Sequence, residues 1–560
     1  MNGMVEPTKW LAAALGCALV ACGPDSTSTT TSGDASAGGT GGTSSSDPTA
    51  GSSDSEDPTS QGATSEDGSS GGADESGTTA VEPEFVPYPA RGVRLTEVYA
   101  NQGVGVPIVR DGAWVDGSGR NAALVPERTT MIRGYWELDE GFEPRVIMAR
   151  LLLTQPDGTV EEADRTFEVT QNSVPSQIDT NMYFVIPGEL LPLGVKFQIE
   201  LYETEYGYES LPEPEQTVYP PQPGFLGVED KDLALKVVLV PVRHNQGAAC
   251  PEAPEITDEE MQYLSDQLFM QNPVQRVEIE RRAPVDYTGS LNSFSPLLGF
   301  LADLRASDNA DPAAYYYGVV RPCDGGAEGV GGQAISIPDF PTLNNAWTRT
   351  SMGRWYASLS STANTFVHEV GHTQGRRHVA CNGDEGGTDP SYPYSEGDIG
   401  VWGFGILDFT LYTPTNGKDY MTYCGNTWVS DWTWGRVLPF IEEITGWGTS
   451  DATPDTSKRV LIGLVDPATG DETWFVTQGA AEGITTFGDE PMHLQVPGGP
   501  ERTLDGVYGP MGDGDSYVVA VDLPPDVTIS ETMHLTREHE GQELVVSKVR
   551  AGGNTLSLAQ

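Results

Sequence analysis

The segment His368-Glu369-Val370-Gly371-His372-Thr373-Gln374-Gly375-Arg376-Arg377-His378 fits the pattern HExxHxxGxxH and holds three of the chain's seven histidines. On a helix, His368 and His372 stand four residues apart and project from one face toward one point. Glu369 lies beside the first of them, placed to hold a metal-bound water without itself ligating. Gly375 can take a positive φ that ends the helix and turns the chain, so that His378 swings back as a third ligand. Three neutral imidazoles leave one position of a tetrahedral Zn2+ open to water, the pattern of a catalytic rather than a structural site. The chemistry this predicts is hydrolysis by a water whose proton goes to Glu369.

The elements that would position these residues carry their own signals. Ser360 and Ser361 are N-cap candidates for a helix running to about Gln374, with Ala363, Phe366, Val367 and Val370 as its apolar face. Upstream, Leu233–Val242 is an almost unbroken apolar run, as expected of a buried strand. Thr257–Met270 has helical periodicity behind a Thr-x-x-Glu capping box, and Ser293–Leu304 predicts a second helix. Ala314–Arg321 and Gly329–Ile337 read as strands ahead of the metal helix, and Ser430–Trp447 as a closing helix.

Downstream, Asp419-Tyr420-Met421-Thr422-Tyr423-Cys424 reads as a tight turn, with Met421 43 residues after His378. Together with the histidine motif it resembles the signature of the metzincin zinc endopeptidases, over roughly residues 230 to 450. The resemblance implies that Met421 packs beneath the histidines and that Tyr423 binds the metal or steadies an oxyanion. It also implies an edge strand to which an extended substrate adds by backbone hydrogen bonds. The fold it implies for residues 226–450 is an α+β metzincin-like catalytic domain, a mixed twisted sheet plus helices.

On either side the pattern changes. Residues 87–225 carry strand-like runs (Thr129–Trp136, Val146–Leu153, Phe197–Tyr202) among many Pro and Gly, which predicts a β-sandwich-like domain. Residues 451–560, with Arg459–Val465 and Tyr517–Asp522, predict a C-terminal β domain. His534 and His539 are five apart and read as solvated. The expected class is therefore an α+β catalytic domain flanked by all-β domains.

Trp10–Val20 is a short apolar core, too short to span a membrane, and it ends in Leu19-Val20-Ala21-Cys22-Gly23. This resembles the lipobox of bacterial lipoproteins, and implies a signal peptide over 1–21 and a lipid on Cys22. Residues 22–86 are rich in Ser, Gly, Thr and acids, with no Lys or Arg, and predict a disordered acidic tether. Such a coil spans about 45 Å. With Cys17 and Cys22 set aside, Cys250, Cys323, Cys381 and Cys424 remain, and three pairings are open. We favour Cys250–Cys323 with Cys381–Cys424, because the second pair would staple the loop after the metal helix to the Met421 turn.

The formal charge is −50, and about −38 once the twelve acids of the tether are set aside. That balance argues against a nucleic-acid partner, which needs clustered Lys and Arg. Asp384-Glu385 to Asp389 and Asp513-Gly514-Asp515 are candidate Ca2+ loops, although Asp/Gly clusters are usually turns. No Cys lies between Cys22 and Cys250, so a cysteine from that segment cannot block the metal. The sequence predicts a monomeric, lipid-anchored zinc metalloendopeptidase on the cell surface, acting on protein or glycoprotein substrates and touching the membrane only through its lipid. The alternative is a non-catalytic surface adhesin on the same scaffold.

Overall fold

Along Arg145–Thr154 buried residues alternate with more exposed ones, the mark of a strand with one face in a core. The computed structural model describes residues 85–559, apart from 214–216, 248–249, 324–325, 327–328, 384, 450–452 and 497. The expected signal peptide, the lipid site Cys22, nearly all of the tether and Asp384 lie outside the described residues.

Between Val93 and Phe225 the chain forms two antiparallel sheets, of five and four strands. They meet through aromatic pairs: Trp114 on Phe197, and Phe167 between Trp136 and Tyr183. Next comes a six-stranded sheet. Its strands run in space as Arg276–Arg281, Ala234–His244, Ala314–Val320, Thr350–Arg354 and Gly332–Ala334, with Val285–Tyr287 also paired to Ala234–His244. Every neighbour is parallel except the last, so Gly332–Ala334 is a short antiparallel edge. The C-terminal region adds sheets of seven and four strands.

Four α-helices occur among the described residues. α1 (Asp258–Gln271) opens with the predicted capping box, Thr257 and Glu260 each bonding the other's backbone N–H. α2 (Ser295–Ser307) begins two residues later than expected and has no side-chain cap; a proline in its first turn sets the start. α3 (Leu359–Thr373) is capped by Ser358 rather than Ser360 or Ser361, and α4 (Asp431–Gly446) by Ser430.

The expected class needs correction. Among the described residues the molecule is mainly β, with 38% strand against 16% helix and seven sheets, and residues 226–450 do not stand apart as an α+β catalytic domain of metzincin type. The reason lies in the core. Val240, Val242, Leu297, Leu301 and Met352 belong to one buried cluster with Val460, Ile462, Phe475 and Val518 of the seven-stranded sheet. α2 is covered by that sheet, so helices and C-terminal strands close a single core, and residues from Pro87 to Gln560 form one unit.

Both disulfides form as favoured, Cys250–Cys323 and Cys381–Cys424. No helix among the described residues is long and apolar enough to cross a membrane, and the disulfides suit an extracytoplasmic compartment. The Cys381–Cys424 bridge closes a loop with a sequence separation of 43. Replacing both cysteines by Ala should cost about 4 kcal/mol in chain-entropy terms. Denaturant unfolding would register this as a lower midpoint, and an unchanged midpoint would contradict a formed bridge.

Candidate metal centre

α3 presents its apolar side, Ala363, Phe366, Val367 and Val370, to the interior, with Phe366 edge-on to Tyr317. Gly375 has φ +79, and a Cβ there would meet the Pro338 carbonyl oxygen at 2.4 Å, so only glycine both ends the helix and lets the chain pass. The chain then turns back, and His378 joins His368 and His372.

Each imidazole bonds a main-chain carbonyl through Nδ1: His368 to Tyr420 at 2.7 Å, His372 to Arg376 at 2.7 Å, His378 to Gly386 at 2.6 Å. A carbonyl can only accept, so each Nδ1 carries the proton and each Nε2 offers a lone pair. The Nε2 atoms converge, with those of His372 and His378 3.2 Å apart. All three rings are buried.

The turn at 419–424 supports this from below. Asp419 is fully buried; its Oδ1 accepts the Met421 N–H at 3.0 Å, and its Oδ2 accepts the hydroxyls of Ser430 and Thr433 at 2.6 Å each. Met421 is fully buried beneath α3, its sulfur 2.6 Å from where a Cβ on Gly371 would stand. The Val379 N–H bonds the Met421 carbonyl at 2.9 Å, which ties the segment just after the third histidine to the same turn. The Cys381–Cys424 bridge lies alongside, and Glu385 accepts the backbone N–H groups of Cys381 and Tyr423. Both Glu385 carboxylate oxygens are thus engaged by backbone N–H groups.

Glu369 is completely buried, and neither carboxylate oxygen has a hydrogen-bond partner. Burial, and then the nearby Asp513 charge, push its carboxyl well above the ordinary value. The edge strand passes close over it: a Cβ on Gly332 would lie 2.6 Å from Oε1. Tyr423 stands edge-on to His378, with ring centroids 4.8 Å apart, and its hydroxyl points at the same centre. His368, Glu369, Tyr423 and the glycine-rich stretch 329–332 line a cleft of about 640 Å³.

One residue at the centre was read differently from the sequence. Asp513, taken there as part of a calcium loop, is buried among the histidines. Its Oδ1 stands 2.9 Å from His378 Nε2, 3.4 Å from His368 Nε2 and 3.9 Å from His372 Nε2. The Tyr423 hydroxyl donates to it at 2.6 Å. Burial opposes its charge, yet the three imidazoles hold its carboxyl well below the usual range. His368, His372, His378 and Asp513 thus form a buried group able to hold a metal ion. Unpartnered buried atoms fit that use, since His368 Nε2 makes no hydrogen bond. His539, read as solvated, instead bonds the buried Glu490 at 2.6 Å and stacks on Tyr517, far along the C-terminal sheets.

No protein-family model matches the chain, and no curated protein matches it.

Metal binding must compete with protons for the imidazoles. Burial, reinforced by the neighbouring His368 and His378, pushes His372 down to about 4 against the pull of Asp513, whereas for His368 the Asp513 carboxylate outweighs burial and raises the value above the ordinary 6.5. A ligand with raised proton affinity must give up that proton to bind, so metal affinity should fall as pH drops, starting above 6.5. Competition titration with a chelator from pH 8 to 5 checks this, and a flat profile would contradict it. His372→Ala should abolish stoichiometric metal at any pH.

Proposed function

We propose that this chain is a zinc-dependent endopeptidase, hydrolysing peptide bonds of proteins or glycoproteins outside the cytoplasm and held to the cell envelope by a lipid on Cys22. The observation that carries this reading is the pairing of three oriented imidazoles with a buried, unpartnered carboxylate, Glu369. A structural metal site has no use for such a group, whose burial is costly without function. Imidazole donors without thiolates suit zinc among the common divalent ions.

Bound at the three Nε2 atoms, zinc would supply a Lewis acid that polarises the scissile carbonyl and makes water more acidic. Glu369 would take the proton of the attacking water and return it to the leaving amine. The Tyr423 hydroxyl donates to the carbonyl oxygen as it gains charge. Met421 keeps the floor of the site apolar. The resemblance of His368–His378 and the Met421 turn to the metzincin signature supports the same chemistry at the level of the motif.

A second reading has its own observation. Asp513 could serve as a fourth protein ligand, and four protein ligands characterise closed, structural sites. On that reading the chain is a non-catalytic surface protein, an adhesin, whose metal only stabilises the fold.

The test compares full-length wild type with Glu369→Ala on unfolded casein and on a mucin-type glycoprotein, with zinc content measured for each. Cleavage should fall by at least ~100-fold in the variant while about one zinc per chain remains. Absence of stoichiometric zinc in wild type would sink the reading, and equal cleavage by both proteins would remove Glu369 from the chemistry.

A further inference from the structure

Asp513 reaches the histidines from the loop that joins two antiparallel strands of the C-terminal sheet, Gly506–Pro510 and Tyr517–Leu523. Before the loop tip, that segment runs along the edge of the cleft. The Ile337 N–H donates to the Pro510 carbonyl at 3.2 Å, and the Gly512 N–H to the Ala334 carbonyl at 2.9 Å. The pairing is antiparallel to the edge strand and takes backbone groups that an extended peptide would need there. Gln333 adds a side-chain bond to the Asp513 carbonyl at 3.2 Å. The approach is so close that a Cβ on Gly512 would stand 2.8 Å from the Ala334 nitrogen and 2.9 Å from His372 Cδ2. Asp513 also engages the Tyr423 hydroxyl, the group proposed to steady the oxyanion.

We propose that the loop 511–516 is an internal stopper: Asp513 fills the position where a substrate carbonyl would bind, and Pro510–Gly512 fills the backbone register of a substrate chain. The proposal rests on the endopeptidase reading and adds its regulation. As folded, the chain is latent.

The rest of the fold says how it opens. The C-terminal sheet shares its core with α2, so cutting this region away would expose Leu297 and Leu301. Opening is therefore a local swing of the loop tip. Gly512 and Gly514 flank Asp513, and Gly514 and Asp515 are already exposed. The five register pairs from Gly506–Val521 to Pro510–Tyr517 can stay intact below it. None of the described residues of 87–225 lines the cleft, whereas Asp513, Gly514 and Asp515 of the C-terminal hairpin do.

Three full-length variants test this, each loaded with zinc: Asp513→Ala removes the ligand, Asp513→Asn keeps its shape, and Gly512→Ala retains the Asp513 side chain but pushes its segment off the edge. Two readouts are taken beside zinc content, the affinity for a peptide hydroxamate, which needs the open metal position, and the rate of casein cleavage. Asp513→Ala and Gly512→Ala should each bind hydroxamate at least ~10-fold tighter than wild type and cleave at least ~10-fold faster, as expected when a blocked state is depopulated. Asp513→Asn should shift both in the same direction. Zinc should stay at one per chain. Unchanged hydroxamate affinity in all three overturns the stopper, and so does loss of zinc on removing Asp513, which would make it a structural ligand. Tighter hydroxamate binding with no cleavage by any variant would keep the stopper and defeat the endopeptidase reading.

Discussion

Three hydrogen bonds from imidazole Nδ1 to main-chain carbonyls fix where the lone pairs of this site point, and the carbonyls belong to separate pieces of chain. Tyr420 lies in the turn below the helix, Arg376 just after the helix end, and Gly386 in the loop beyond the third histidine. Each piece is held in turn. The Tyr420 turn hangs on Asp419, whose carboxylate is clasped by Ser430 and Thr433 at the start of α4. The position of Arg376 follows from the reversal that Gly375 permits. The Gly386 loop is pinned through Glu385 and the Cys381–Cys424 bridge. If one of these supports shifts, an Nε2 turns away from the common point. The site is thus rigid because its outer contacts are backbone contacts, which have few alternative geometries.

Legibility in the sequence was uneven, and the unevenness is physical. What depends on neighbours within a few residues could be read: the facing pair His368 and His372, the reversal at Gly375, the capping box of α1, and the strand-like run Val146–Leu153. Errors of detail arose where several residues could do one job. Ser358, Ser360 and Ser361 can all cap α3, and the choice depends on where the preceding strand delivers the chain. What depends on distant pairing could not be read. The common core of α2 and the C-terminal sheet joins residues more than 150 positions apart, and apolar runs alone do not say which strands share a core, so the mainly β class was missed. Asp513 lies 135 residues beyond His378, in an Asp-Gly-Asp run that on local grounds is merely a turn. Gly332, whose missing side chain makes room for Glu369, gave no signal beyond its place in a predicted strand.

The buried charges divide along the same line. Glu203 with Arg145, and Glu490 with Arg537 and His539, are buried carboxylates whose oxygens are taken by basic side chains. Glu369 is as deeply buried and has no such partner. Paired buried charges hold parts of a fold in register; an unpaired one is a standing cost kept where something else will use it.

The shared core also bears on how the molecule comes to exist. Leu297 and Leu301 on α2 wait for Val460, Ile462 and Val518, which follow them by more than 150 residues. Contacts of such long sequence separation form slowly, because a large loop must close before any of them is rewarded. A chain emerging from its N-terminus would have all three histidines in hand well before the hairpin that carries Asp513. Yet the surface that supports α2 would still be missing, and the helix would stand with an apolar face in water. Order in time and order along the chain are thus uncoupled here: the site written in the middle of the sequence is finished by its end.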